Sequence, residues 1–187
     1  NPPAESLDYV SDMLHIMGSF IVSSIRRRNL LRQLERMSYR DQLTQFGNRY
    51  AVDWFVEHEW NGEQIGVVYC DITGLKKVND EQGHEAGDRL IIRACECLAG
   101  VFKGYGLYRI GGDEFLVLCL GIEEKDLREH VEKLRMDMKE HQVTMAVGMI
   151  WKEHGPKDID LLLNESERLM YEDKDRYYKE HGLKRRR

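Results

Sequence analysis

Three carboxylates of this 187-residue chain stand where chemistry can be done. Asp71 follows the apolar run Ile-Gly-Val-Val-Tyr-Cys at 65–70, so it projects from the end of a buried strand. Asp113 and Glu114 follow Gly111-Gly112, a two-glycine hairpin turn. A hairpin laid beside that strand would bring Asp113 near Asp71. Carboxylates crowded in this way repel one another unless a cation sits between them. Hard oxygen donors next to a phosphate substrate favour Mg2+. Such an ion can activate a hydroxyl and neutralise charge on a transferring phosphoryl group. By spacing alone, an Asp-Glu pair after two glycines serves equally well as decoration of a turn.

Other residues suit a nucleotide. Lys76 lies just past Thr73-Gly74, where a helix start would offer free N–H groups to a phosphate. Asn79 and Asp88 flank the Gly83-His84 turn. A carboxylate can accept from guanine N1 and the 2-amino group while an amide reaches the purine edge. Asp88 is equally suited to cap a helix. Asp41 and Arg49 flank a turn and are expected to shape the wall of the site by a salt bridge or hydrogen bonds. Lys174 stands among Asp173, Asp175 and Arg176, which on its own reads as a solvated charged face.

These side chains need elements to hold them. Residues 1–38 carry Leu7, Val10, Leu14, Met17, Ile21 and Ile25 at spacings of three or four, then Arg26-Arg27-Arg28, then Leu30, Leu31, Leu34 and Met37. This predicts one amphipathic helix that needs a partner: a domain upstream or a second copy of the chain. Beyond it, the pattern predicts helix 50–60, strand 65–70, a short helix near 75–78, a helix opening at Asp88, strands 107–110 and 115–120, helix 123–140, strand 143–151 and helix 158–178. The order predicts an α+β fold: a ferredoxin-like core with a mostly antiparallel central sheet, flanking helices on one face and an added helix. The expected domains are 1–38, a signalling or dimerisation helix; 39–180, the catalytic domain; and 181–187, a loose basic tail.

Bulk properties narrow the partners. The formal net charge is −5, which disfavours a nucleic-acid polymer but not a mononucleotide held through a cation. Cys70, Cys95, Cys97 and Cys119 lie in or beside apolar runs, and Cys95-x-Cys97 lacks the spacing of a zinc or redox pair. They read as buried thiols in a reducing compartment, so a cytoplasmic location is expected. No apolar stretch approaches a membrane span, so no membrane contact is expected from these residues. The chain begins at Asn1, which suggests a piece of a longer protein, one that leaves room for an upstream sensor or membrane anchor.

Together these residues resemble the GGDEF domain, the catalytic domain of diguanylate cyclases. Gly111-Gly112-Asp113-Glu114-Phe115 is the signature letter for letter. Asp41-x-Leu43-Thr44 with Asn48-Arg49 is similar to the family's opening motif, and Asp71-Ile72, Lys76, Asn79-Asp80, Gly83-His84 and Gly87-Asp88 to its long central motif. Met170-Tyr171-x-x-Lys174 is similar to its closing helix. The resemblance implies an enzyme, a nucleotidyltransferase that condenses two GTP into cyclic di-GMP and two pyrophosphates across a dimer of domains. It implies Mg2+, or Mn2+, held by Asp71, the Ile72 carbonyl, Asp113 and Glu114, with Asp71, Asp113 and Glu114 as the catalytic centre. It implies guanine contacts from Asn79 and Asp88 and phosphate contacts from Lys76 and Lys174. The alternative is a silent module that binds GTP or cyclic di-GMP and regulates a partner. The leading helix also resembles the last helix of a GAF sensor domain, which would place a sensor upstream.

The chain departs from the family pattern at several points. Gln45 stands where Gly is usual, and Gly47 is expected to add flexibility nearby. Thr73-Gly74-Leu75 replaces the common Asp-x-Phe. Tyr178 replaces a phosphate-contacting Arg, and Arg176 is the candidate to compensate for it. The window for the family's inhibitory Arg-x-x-Asp reads Phe102-Lys103-Gly104-Tyr105, so inhibition by product through that window is not expected.

Overall fold

The computed structural model describes residues 4–37, 39–156 and 158–182, without the side chains of 4–12, 32, 33 and 35–37. The expectations for Leu7, Val10, Met37 and the basic residues 184–187 therefore fall outside the described residues. The chain forms two compact units, Asn1–Tyr39 and Arg40–Arg187.

The first unit is a single helix, α1 (Ala4–Met37). At ~1.5 Å per residue it is about 50 Å long. Leu14, Met17, Ile21 and Ile25 are exposed, as are Leu30, Leu31 and Leu34. Met13, Ile16, Phe20 and Val22 are exposed too, so the helix is apolar on more than the one face expected. Met13, Ile16, Phe20, Leu30 and Leu34 fall at alternating spacings of three and four within one heptad register; Ser23 and Arg27 occupy its remaining positions.

The second unit holds α2 (Arg49–His58), β1 (Ile65–Ile72), α3 (Leu75–Gln82), α4 (His84–Val101), β2 (Gly106–Arg109), β3 (Glu114–Leu120), α5 (Glu124–Glu140), β4 (Met145–Lys152) and α6 (Asp160–Glu180). One four-stranded sheet runs β2-β3-β1-β4 with every neighbouring pair antiparallel. This is the ferredoxin-like order, with β1 central. All eight residues of β1 are buried, which explains its unbroken apolar run.

Helices cover both faces of the sheet rather than one. Val68, Cys70 and Ile72 face α4 and α5, where they meet Ala94, Leu98, Leu127 and Leu134. Ile65, Val67 and Tyr69 face the other way, with Val52 and Phe55 of α2 and Leu162 and Met170 of α6. A strand buried on both sides cannot show the alternation that would have revealed the second layer. Two boundaries also move. Pairing on both sides carries β1 two residues past Cys70, and α4 opens at His84 rather than Asp88. Gly83, with φ 84° and ψ 165°, makes the α3–α4 turn by itself, so Asp88 sits inside α4 and is no cap.

Candidate functional site

Asp71 and Glu114 are direct cross-strand partners in the β1–β3 ladder, and they point to the same face. The Ile72 N–H donates to the Asp113 carbonyl at 2.9 Å, which fixes Asp113 beside the end of β1. The expected juxtaposition of Asp71 with Asp113-Glu114 is thus a consequence of register. Asp71 is only 4% exposed. Burial pushes Glu114 above the ordinary carboxylate range; Asp113, Asp71 and Glu167 push the same way, and a hydrogen bond from Tyr69 opposes them. Among the described residues no three carboxylate, imidazole or thiol groups stand close enough together to enclose a metal ion. The cation beside Asp71 is instead Lys174, whose Nζ donates to Oδ1 at 2.6 Å. Lys174 is therefore no solvated charge: its side chain is 14% exposed.

Close packing brings Lys174 there. A Cβ on Gly148 of β4 would lie 2.0 Å from the Ser166 carbonyl oxygen and 2.3 Å from the Met170 nitrogen. Only glycine lets α6 rest directly on the sheet at this point. Asp173 then ties α6 down. Its Oδ2 accepts from the Val147 N–H of edge strand β4 at 2.9 Å and from both terminal nitrogens of Arg135 on α5. In the sequence Asp173 is one of the charges that surround Lys174. Nothing in the charge run distinguishes it, because its partners lie on β4 and α5.

The glycine turn is held by a residue the sequence reading missed. Arg109, at the end of β2, donates from Nη2 to the Gly112 carbonyl at 2.7 Å and from Nη1 to Asp41 Oδ1 at 3.1 Å. The same carboxylate oxygen accepts from the Thr44 N–H and hydroxyl. Burial works against ionisation of Asp41, but these bonds outweigh it and hold its carboxyl below the usual range. The opening motif and the signature turn are thereby one hydrogen-bonded unit. Arg109 is the sole charged residue of β2, a signal that was available. Arg49 is not Asp41's partner here; it pairs with Asp53 at 3.6 Å on the surface of α2. Arg49 also lines a cleft of about 420 Å³ with Tyr69, Glu114, Asn164 and Glu167.

Lys76, Asn79 and Asp88 belong to the α3–α4 hairpin. Lys76 is exposed near the N-terminus of α3, behind Gly74 at φ 87°. Asn79 packs onto α4 so tightly that a Cβ on Gly87 would lie 1.9 Å from its Oδ1. That oxygen is buried without a hydrogen-bond partner. Asp88, next to Gly87, is exposed. The glycine thus sets the approach of the two candidate guanine contacts.

The departures acquire local causes. Gln45 adopts φ 61°, the left-handed region that favours glycine. Gly47 supplies space rather than flexibility: it is buried, bridges to Arg40 and Tyr108, and a Cβ there would lie 2.4 Å from the Tyr108 ring. Phe102 is fully buried in the core, and Tyr105 sits edge-on to His130. Arg176 pairs with Asp173 at 3.5 Å. All four cysteines are free and buried. Burial pushes the thiols of Cys70, Cys95 and Cys119 up to about 12 and that of Cys97 up to about 11. No described helix is long and apolar enough to cross a membrane.

Comparison with known proteins places this architecture. The family described as "Diguanylate cyclase, GGDEF domain" matches residues 38–179. Diguanylate cyclase DgcP of Escherichia coli is 26% identical over 184 residues, covering 87% of this chain and 54% of DgcP. Cyclic di-GMP phosphodiesterase PdeR of the same organism is 30% identical over 174 residues, covering 84% of this chain and 25% of PdeR. The chain thus spans about half or less of these relatives. The crystal structure of the coiled coil and GGDEF domain of DgcB from Caulobacter crescentus, in complex with c-di-GMP, shares the fold: TM-score 0.65, 20% identity, 91% of this chain and 96% of that one. Nothing in these matches carries the resemblance of α1 to a GAF helix. On its own motifs, its sheet order and this match, the chain belongs to the GGDEF domain family of diguanylate cyclases.

Proposed function

We propose that the chain is a working diguanylate cyclase unit that binds one GTP and condenses it with a second GTP held by another copy. The observation that supports this most is the Asp71–Glu114 pairing with Asp113 fastened beside it. Asp71 and Glu114 on one face of the ladder, with the Asp113 backbone fastened beside them, gather acid at one strand end, which suits a cation site better than a structural turn. Asp71, Asp113, Glu114 and the Ile72 carbonyl would hold Mg2+ or Mn2+; hard oxygen donors fit such an ion. When bound, the ion would neutralise charge on the reacting phosphoryl group and its pyrophosphate leaving group.

The residues of this chain do the rest. Asn79 and Asp88 hold guanine, and Lys76 and Lys174 hold phosphate oxygens. Lys174 must leave Asp71 for this, so its ammonium stands in the pair where the ion's charge would act. One 3'-hydroxyl oxygen attacks the partner nucleotide's α-phosphorus and loses its proton, with Glu114 or Asp113 as the nearby base. The bond from that phosphorus to the β-phosphate oxygen breaks, and pyrophosphate leaves. The reciprocal attack closes the ring. Two copies are required, and the exposed heptad register of α1 supplies a seam for them. A sensor upstream would set the angle of that seam, in a cytoplasmic protein. One observation favours a silent regulatory module instead: the Lys174–Asp71 pair occupies the cation position.

Calorimetric titration with GTP and with ATP, in Mg2+ and in EDTA, separates the two readings. The proposal requires GTP to bind at least tenfold more tightly than ATP and to depend on the metal. It requires Asp88→Asn to erase the base preference and Asp71→Asn the metal dependence. Metal-independent binding that survives Asp71→Asn would point to the silent module.

A further inference from the structure

A second polar cleft, of about 270 Å³, opens between the α3–α4 hairpin and the start of β4. Its polar lining is Thr73, Gln82, Arg89, Arg93, Gln142 and Thr144, and no carboxylate lines it. It shares no residue with the carboxylate edge and includes neither Asn79 nor Asp88. Arg89 and Arg93 lie one turn apart on α4, so both face the same space. Two like charges on one helix face, without an acidic lining, are unfavourable unless something answers them. In a chain whose net charge is −5 the omission of acid is local and specific.

Two buried donors reinforce this. Arg93 Nε and Thr73 Oγ1 are both fully buried and have no hydrogen-bond partner. Buried polar atoms are nearly always paired, and an orphan needs an explanation. Gln142 adds a third oddity: it holds φ 53°, a left-handed conformation that glutamine seldom adopts. Non-glycine residues in this region cluster at functional sites.

We propose that this cleft is an oxyanion site for a phosphate group of a small phosphorylated molecule, distinct from the nucleotide site at the carboxylate edge. Two guanidinium forks match tetrahedral phosphate oxygens, and two hydroxyls with two amides complete the donor set. A phosphate offers three or four acceptor oxygens to these groups, whereas a carboxylate offers two. The inference stands independently of the cyclase reading.

The test uses the full chain labelled with 15N. Inorganic phosphate, pyrophosphate and acetate are titrated separately at constant ionic strength. The signals followed are Arg93 Nε–H and the side-chain amides of Gln82 and Gln142. Phosphate or pyrophosphate should give saturable shifts, and acetate none. Arg93→Gln and Arg89→Gln should each weaken binding at least tenfold. Arg89 is exposed, so its variant keeps the test alive if Arg93→Gln fails to fold. Tighter binding of pyrophosphate assigns the ligand to a diphosphate, and equal binding to a single phosphate. Absence of saturable shifts, unchanged affinity in Arg89→Gln, or acetate shifts equal to those of phosphate would overturn the proposal.

Discussion

Replacing Lys174 by Met tests the idea that its ammonium stands where a cation belongs. Lys174 Nζ lies 2.6 Å from Asp71 Oδ1, with side chains 14% and 6% exposed. Removing one partner of a buried ion pair costs roughly 3–5 kcal/mol, because the other charge loses its nearest counter-charge while still buried. Lys174 retains some contact with water, so the lower end, about 3 kcal/mol, is expected. For a chain of this size each kcal/mol moves Tm by roughly 2–4 °C, which gives a fall of about 6–12 °C. The assay is thermal unfolding followed by tryptophan fluorescence. Trp54, Trp60 and Trp151 all lie in the second unit, so α1 does not contribute to the signal. Millimolar Mg2+ should recover part of the loss in Lys174→Met and do less for the parent. The double variant Asp71→Asn, Lys174→Met should melt well above the single one, since the buried carboxylate that has lost its ammonium is then neutral. The reasoning fails if Lys174→Met melts with the parent, or if the double variant is no better than the single.

Four further outcomes are expected. Asp41→Asn should cost roughly 1–3 kcal/mol at neutral pH. Because the folded value of Asp41 is depressed, its contribution is present above its unfolded pKa and lost as pH falls through the folded one. The gap between variant and parent should therefore close in acid, and a gap that widens would be wrong in sign. Gln45→Gly should relieve the φ of 61° and raise Tm by a few degrees, for a gain of about 0.5–1 kcal/mol in thermal unfolding. Phe20→Asp, in the heptad register of α1, should reduce the dimer fraction in analytical ultracentrifugation and lower turnover per chain, while GTP affinity holds. Added cyclic di-GMP should not inhibit turnover through residues 102–105; strong non-competitive inhibition abolished by changes there would refute this.

The sequence made the core of the fold legible because its signals are local. Residues 65–70 of β1 announce themselves as an apolar run, and Gly111-Gly112 as a turn. Laying the hairpin beside the strand brings Asp113 near Asp71, but only the register shows that Glu114, one residue on, is the direct partner of Asp71. What the sequence hid depends on packing across the chain. Gly148 looks like any strand glycine until α6 is laid on it, and Asp173 like any helix acid until the Val147 N–H that it accepts from is found. Arg109 was readable as the lone charge on β2, yet its two partners lie on different segments. Gly47 was misjudged because space for a neighbouring ring leaves no mark on local sequence. The second helical layer was hidden because β1 is buried on both faces.

The central claim is tested most directly by product identity. The full chain, at a concentration where ultracentrifugation finds dimer, is incubated with GTP and Mg2+ and its products are separated by chromatography. The account predicts cyclic di-GMP and two pyrophosphates per cycle from the parent chain, and neither from Glu114→Gln. A dimeric parent chain that binds GTP yet forms no cyclic di-GMP would contradict it.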